Sequence, residues 1–190
     1  MDARGVIEIM VIGLWVFLPA MLPNSAAVVF GGGTKVDFGR SWRGKRIFGD
    51  GKTWRGLFGG ALSGIVLGLI LMGISHSFDP NNHWGFGSFE QGALIITTLA
   101  FGAVLGDLLG AFIKRRMGLE RGEKAPFLDQ YDFVLGAFLL TAVFNPHWVY
   151  GTYFAGWHLS AFLFLLFIMF GLHRTANIIG YKMGLKKEPW

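Results

Sequence analysis

Three aspartates and a run of cations are the residues of this chain whose types and spacing can do chemistry. Asp107 stands inside an apolar stretch, Gly92 to Ile113, that is long enough to cross a bilayer. Lys114-Arg115-Arg116 follows it, and then Pro126-Phe127-Leu128-Asp129-Gln130-Tyr131-Asp132. A carboxylate at membrane depth costs roughly 2.5–3.5 kcal/mol on insertion scales, which makes it a functional candidate by default. Three carboxylates beside three cations suggest a metal ion and a polyanion. The polyanion is best read as phosphate, because magnesium binds through one or two carboxylates plus substrate phosphate oxygens. The chemistry implied is phosphoryl transfer at a membrane surface.

Helical spacing brings these groups together. Asp107 and Lys114 are seven residues apart, so they share a helix face and are separated by about 10 Å along the axis. The carboxylate then lies just below the interface and the ammonium at its rim. Asp129 and Asp132, three apart, fall on one face at the start of the next helix, where the macrodipole favours anionic side chains. Each acid also has a plainer role open to it: Asp129 as a helix cap, Asp132 as a partner of Arg115, since intramembrane acids often simply pair with a base. Convergence of all three on one membrane face favours a metal site made of Asp107, Asp129 and Asp132.

A second cluster lies nearer the N-terminus: Pro23-Asn24-Ser25 where the first helix is expected to end, Gly31-Gly32-Gly33, then Gly49-Asp50-Gly51-Lys52-Thr53-Trp54-Arg55-Gly56 leading into the second helix. Gly51-Lys52-Thr53 imitates a P-loop, but position 46 is Arg46 where a glycine is required, and no buried parallel strand precedes it. The physical logic holds without the motif. Glycines let backbone N–H groups wrap oxygens, Lys52 adds charge and a helix N-terminus follows at once, so the segment reads as a phosphate cradle. A turn with snorkelling cations is the alternative, and Trp42 and Trp54 suit an interfacial aromatic belt equally well.

The elements that must position these groups are membrane helices. Of the 190 residues 53% are apolar and only 15% charged, with mean hydropathy +0.48, which indicates an all-α integral membrane protein. Five segments approach the roughly 20 apolar residues a span needs: Val6 to Leu22, Leu57 to Ile74, Gly92 to Ile113, Phe133 to Val149 and Tyr153 to Leu172. Pro146 is expected to end or kink the fourth, and a re-entrant fourth segment would leave four spans. The first stretch lacks a small-residue cleavage motif, so it is expected to remain as a helix.

Lys and Arg concentrate in 23–56, 114–132 and the tail after Leu172, while 75–91 and 150–152 carry none. About five spans, with the N-terminus outside and the C-terminus cytoplasmic, satisfy the positive-inside rule. On this reading 1–190 is one polytopic membrane domain whose cytoplasmic loops 23–56 and 114–132 form the active-site face. The net charge of +5 is then a membrane-surface or phosphate signal and not a nucleic-acid one. With no cysteine, thiolate chemistry and disulfides are excluded.

The second and third helices carry small-residue ladders, Gly60, Gly64, Gly68 and Gly102, Gly106, Gly110, at the spacing that lets backbones approach closely. Gly106 is also positioned to leave space beside Asp107 for a ligand or ion. His76, His83, His147 and His158 fall on the outer side, leaving His173 as the single cytoplasmic histidine.

Gly106-Asp107, Lys114-Arg115, Gly118, Pro126 and Leu128-Asp129-Gln130-Tyr131-Asp132 resemble the signature of CDP-archaeol synthases, archaeal membrane cytidylyltransferases related to the C-terminal part of CDP-diacylglycerol synthases. Gln130 stands where the bacterial and eukaryotic enzymes have arginine, and their His-Gly-Gly run is absent. Both departures are similar to the archaeal branch, as are Pro23-Asn24, Gly49 to Thr53 and His173-Arg174 to Asn177. The resemblance covers essentially the whole chain.

It implies that CTP and an isoprenoid ether-lipid phosphate, 2,3-bis-O-geranylgeranyl-glyceryl phosphate, give CDP-archaeol and pyrophosphate. Magnesium on Asp107, Asp129 and Asp132 would screen the reacting phosphates, and Lys52, Lys114 and Arg115 would hold the departing pyrophosphate. Asn24, Ser25, Gly51, Lys52 and Thr53 would contact the nucleotide, and membrane lipids would surround the helices. Two other classes fit these residues less well. A CDP-alcohol phosphotransferase needs a continuation after its Asp-x-x-Asp that Phe133-Val134-Leu135 does not supply. A small transporter using Asp107 as an ion site commonly has inverted repeats, and none is visible.

Overall fold

A computed structural model describes residues 2–79, 81–120, 122–125 and 127–182, with the backbone alone at 173, 174, 176, 177, 179 and 180. Its helices are α1 (Ala3–Phe30), α2 (Trp54–Phe78), α3 (Phe89–Arg116), α4 (Leu128–Phe144), α5 (Pro146–Tyr153) and α6 (Leu159–Lys182), with a short hairpin of β1 (Ser41–Trp42) and β2 (Lys45–Arg46) between α1 and α2. Among the described residues α1, α2 and α3 are each long and apolar enough to cross a membrane, and α5 with the first part of α6 forms a fourth such unit bent by 82°. α4, with 17 residues, is about 26 Å long.

Local chemistry sets the helix starts. Asp2, Thr53 and Ser88 cap α1, α2 and α3 by accepting from the N–H groups of Gly5, Gly56 and Gln91, which satisfies amides that no helix carbonyl can reach. Lys114, Arg115 and Arg116 occupy the last turn of α3, where the negative end of the macrodipole favours them.

Two expected boundaries are corrected, and the break expected at Pro146 is present. α1 does not stop at Leu22 but continues through Pro19 and Pro23 to Phe30, so Asn24 and Ser25 lie inside a helix. The prolines are accommodated because α2 comes unusually close. Pro23 has no N–H for the carbonyl of Pro19, and at Gly64 of α2 a Cβ would run into that same oxygen. The glycine hydrogen pointing there supplies a weak C–H···O contact. The segment 133–149 is two helices, because Asn145 ahead of Pro146 is kept out of the helical region at φ −137°, ψ 60°. The last helix begins at Leu159, not Tyr153, after Gly156 takes a left-handed φ of 56°. Tyr153, fully buried, donates to the Gly13 carbonyl at 2.8 Å and ties this break onto α1.

Both glycine ladders are packing faces, as expected. Gly60, Gly64 and Gly68 meet the Pro23 and Pro19 backbone and Ile96, while Gly102, Gly106 and Gly110 meet Gly136, Ala137 and Asp132 of α4. The space expected beside Gly106 is therefore filled by α4. The core runs between these faces, from Val16 and Phe17 through Ile95, Ile96 and Leu99 to Tyr153 and Leu165.

Gly136→Ala would push a methyl into the Gly102 and Gly106 backbone, an overpacking of about 1–3 kcal/mol. We expect a lowered thermal-unfolding midpoint in detergent. Gly73→Ala on α2, where a Cβ meets nothing within 4 Å, is expected to leave the midpoint unchanged or raise it.

Candidate active site

The loop after α1 leaves through Gly32 and Gly33, both left-handed at φ 97° and 75°, and folds into a small hydrogen-bonded unit. Val36 N–H donates to the Lys52 carbonyl at 2.9 Å and Trp54 N–H to the Thr34 carbonyl at 3.0 Å, so the two ends of the loop pair antiparallel around the Lys35–Thr53 bridge. Between them β1 and β2 are joined by Arg43-Gly44, both with positive φ, the pattern of a type I′ hairpin turn.

Two charged residues staple this unit. The buried Asp37 carboxylate accepts from Gly39, Phe48 and Gly49 amides at 3.0–3.1 Å and from Arg46 at 2.6 Å. Arg46 also reaches Asp50 at 2.5 Å, and Lys35 meets the same Asp50 oxygen. From the end of α3, Arg116 donates to the carbonyls of Trp42, Lys45 and Arg46 at 2.6–3.2 Å and lies over the Trp42 ring, which itself stacks on Phe112. The loop is thereby fastened to the helix that carries Asp107.

The fastening delivers Lys52 to Asp107, with which it forms an ion pair. Together with Asn24, Gly51 and Thr53 the pair lines a cavity of about 190 Å³ whose other walls are apolar, among them Val28, Leu57, Val104 and Leu108. The Asn24 Oδ1 is buried there and has no protein partner, so it is available to a ligand donor. On the neighbouring face Lys114 donates to Asp129 Oδ1 at 2.7 Å, and Asp129 Oδ2 accepts from the Ala125 amide at 2.9 Å. Asp132 is buried in the space that Gly110 leaves open, accepts from the Phe133 amide at 2.7 Å, and interacts electrostatically with Asp107, Lys114 and Lys52.

The sequence-derived residues thus divide. Asn24, Gly51, Lys52, Thr53 and Asp107 share one cavity, and Asp132, Asp129 and Lys114 adjoin it through the contacts just described. Ser25 is exposed and does not line the cavity. The Thr53 hydroxyl is used in capping α2. Asp129 is not the α4 cap, which is Phe127 at φ 67°, and Asp132 is not paired with Arg115. Arg115 has a buried Nε without a partner. The side chains of His173 and Asn177 lie outside the described residues.

Among the described residues no three His, Cys, Asp or Glu side chains are gathered so as to hold a metal ion. Two of the three aspartates are instead neutralised by lysines. The donor set nevertheless fits magnesium, which takes hard oxygens and only one or two carboxylates when substrate phosphates complete its shell.

Sequence reasoning missed Asp37, Asp50 and Arg116 as organisers. Asp37 and Asp50 are the two acids in 23–56, a segment otherwise rich in Lys and Arg, and that minority of sign was the available signal.

The chain matches the family model described as CarS-like CDP-archaeol synthase over residues 6–190. The chain belongs to the CDP-archaeol synthase family. A CDP-archaeol synthase of Methanoculleus marisnigri is 46% identical over 174 residues, covering 91% of this chain and 99% of the relative. That of Methanoregula boonei is 47% identical over 174 residues with the same coverage, and that of Halobacterium salinarum is 40% identical over all of both chains. A solved structure described as an intramembrane enzyme for archaeal membrane lipids biosynthesis superposes with a TM-score of 0.66 at 34% identity, covering 87% of this chain and 92% of that one. The family assignment, with several apolar helices, makes the chain a multi-pass membrane enzyme. It sets aside both the CDP-alcohol phosphotransferase and the transporter.

Burial pushes the Asp37 carboxyl up, but the Arg46 guanidinium and the Phe48, Gly49 and Gly39 amides outweigh it and hold the pKa at about 2, below the ordinary 3.8. The sign follows: this group's stabilisation of the loop, on the order of 2 kcal/mol, is complete above the unfolded pKa and disappears as pH falls through the folded one. Hydrogen exchange of residues 35–53 should therefore stay protected from pH 7 down to about 4 and lose protection as pH approaches about 2.

Proposed function

We propose that this chain transfers the CMP moiety of CTP to an isoprenoid ether-lipid phosphate, 2,3-bis-O-geranylgeranyl-glyceryl phosphate, forming CDP-archaeol and pyrophosphate in archaeal phospholipid biosynthesis. The observation that carries the reading is the Lys52–Asp107 pair at a cavity lined by Asn24 and Gly51 together with aliphatic residues. The charged lining suits a polyphosphate and the apolar lining suits the start of a lipid chain. Family membership supports the product.

An oxygen of the lipid phosphate attacks the α-phosphorus of CTP; the bond from that phosphorus to the bridging β oxygen breaks, and its electron pair leaves with pyrophosphate. The nucleophile is already ionised at neutral pH, so no strong base is required, and among the described residues no histidine lines the cavity. The barrier is repulsion between two polyanions. Lys52, Lys114 and Arg115 meet it by taking the β and γ phosphates, and charge spread onto them during bond breaking is stabilised by fixed cations. The Asn24 amide and the Gly51 backbone orient the nucleotide.

When Lys52 and Lys114 turn to the phosphates, Asp107 and Asp129 are freed. With Asp132 they are the residues that would hold magnesium, which supplies charge screening at the reacting phosphates. Metal and nucleotide are therefore expected to bind together. The two isoprenoid chains lie between helices, open sideways to the bilayer. Five crossings with the N-terminus outside and the C-terminus cytoplasmic put loops 23–56 and 114–132 on the cytoplasmic face of one polytopic domain, 1–190. The distribution of basic residues supports this orientation, since 79–88 and 150–158 carry no Lys or Arg while 23–56 and 114–132 are rich in them.

The test is purified protein with CTP, magnesium and the lipid phosphate. CDP-lipid and pyrophosphate in equal amounts, lost on chelation, are expected; no pyrophosphate release from folded protein would remove the reading. Asp132→Asn, close in shape, should lower kcat about 100-fold or more, as expected for loss of a group acting on transition-state charge. Lys52→Ala should raise the Kd for CTP about tenfold, about 1.4 kcal/mol, with lipid affinity little changed.

A further inference from the structure

Asp37 and Asp132 are the buried charged residues among those described, and the reaction above uses only Asp132. A buried carboxylate is tolerated only when its lone pairs are satisfied, and those of Asp37 all are. Oδ1 accepts from the Gly39 amide and Arg46, and Oδ2 from the Phe48 and Gly49 amides. Two oxygens with about two acceptor sites each leave nothing for a ligand or metal. The role of Asp37 is therefore exerted through the backbone it holds.

That backbone leads directly to the cavity. Gly49, fixed by Asp37 through its N–H, accepts from the Lys52 amide at 3.3 Å, and Val36, next to Asp37 in the chain, donates to the Lys52 carbonyl at 2.9 Å. Lys52 is thus held on both sides of its own peptide units by groups attached to or bonded to Asp37. Arg46 extends the hold through its second arm to Asp50, which precedes Gly51. Val36 lines the cavity with Gly51 and Lys52, whereas Asp37 does not.

We infer that Asp37, with Arg46, is a positioning residue for the nucleoside triphosphate: it fixes the Gly49 to Thr53 segment in the form that presents Lys52 and the Gly51 backbone, and so governs nucleotide affinity without contacting the nucleotide. The inference rests on the reading of the cavity as the CTP site. It is specific to the nucleotide, because the α3–α4 face that carries Asp132 makes none of these contacts.

Asp37→Asn offers the sharpest probe, because one carboxylate oxygen becomes an NH₂ facing two donors while size is kept. In the intact protein in lipid nanodiscs, CTP binding with magnesium is measured by calorimetry, kcat and both KM values by turnover, and helical melting by circular dichroism. The expected result is a Kd and KM for CTP raised about tenfold or more, with kcat, lipid KM and melting midpoint near wild type. Arg46→Gln should do the same, and the double variant should be no worse than either single one, because the two act as a unit. Arg46→Lys, which keeps the charge beside Asp37, should recover part of the affinity.

Wild-type CTP affinity in Asp37→Asn overturns the inference, as does a uniform loss of kcat and both KM values together with a lowered melting midpoint. If Asp37→Asn does not fold, Arg46→Gln decides on the same readouts. Failure of the wild-type protein to bind CTP would instead count against the cavity assignment itself.

Discussion

Direct contact between the backbones of α3 and α4 is the constraint on which the active face depends. Within lipid there is no hydrophobic drive pressing one apolar helix on another, so close packing must come from small residues. At Gly102, Gly106 and Gly136 a Cβ would collide with backbone of the opposite helix, and at Gly110 with the Asp132 carboxylate. The last contact is the consequential one. Because position 110 has no side chain, an acid on α4 can occupy the flank of α3, one turn from Asp107. A larger residue there would displace the carboxylate, with the charge arrangement that follows from it.

The charge arrangement is a second constraint, and it is met by pairing. Lys52 neutralises Asp107 and Lys114 neutralises Asp129, which lowers the cost of acids at the membrane boundary. Under the proposed function the same pairs would open to a triphosphate, which offers the lysines better partners than a single carboxylate. The lysine that serves Asp107 comes from a loop, not from a membrane helix. That loop needs its own rigidity, which the Asp37 staple and the Arg116 clamp provide.

Much of this was legible from residue types. Pro146 gave notice of the break after α4, and the four-residue glycine spacing of both close helix faces. The continuation of α1 past Pro23 was not legible, because a proline reads as a stop unless a neighbour accommodates the carbonyl it strands, and that neighbour is Gly64, some forty positions on. The sequence marked Asp37 by its sign alone, and its role was not legible for a similar reason. Its partners Arg46, Phe48 and Gly49 surround it only after Arg43-Gly44 closes the hairpin.

The sequence by itself determined which segments are apolar, where cations gather, and that acids near a membrane face must find counter-charge, since these depend on composition and helical period alone. The tertiary structure decided which lysine meets which aspartate, that Gly106 faces α4, and that a loop acid with no chemistry of its own holds the segment carrying Lys52. Those outcomes depend on ångström-scale approach between parts distant along the chain, which local propensity does not encode.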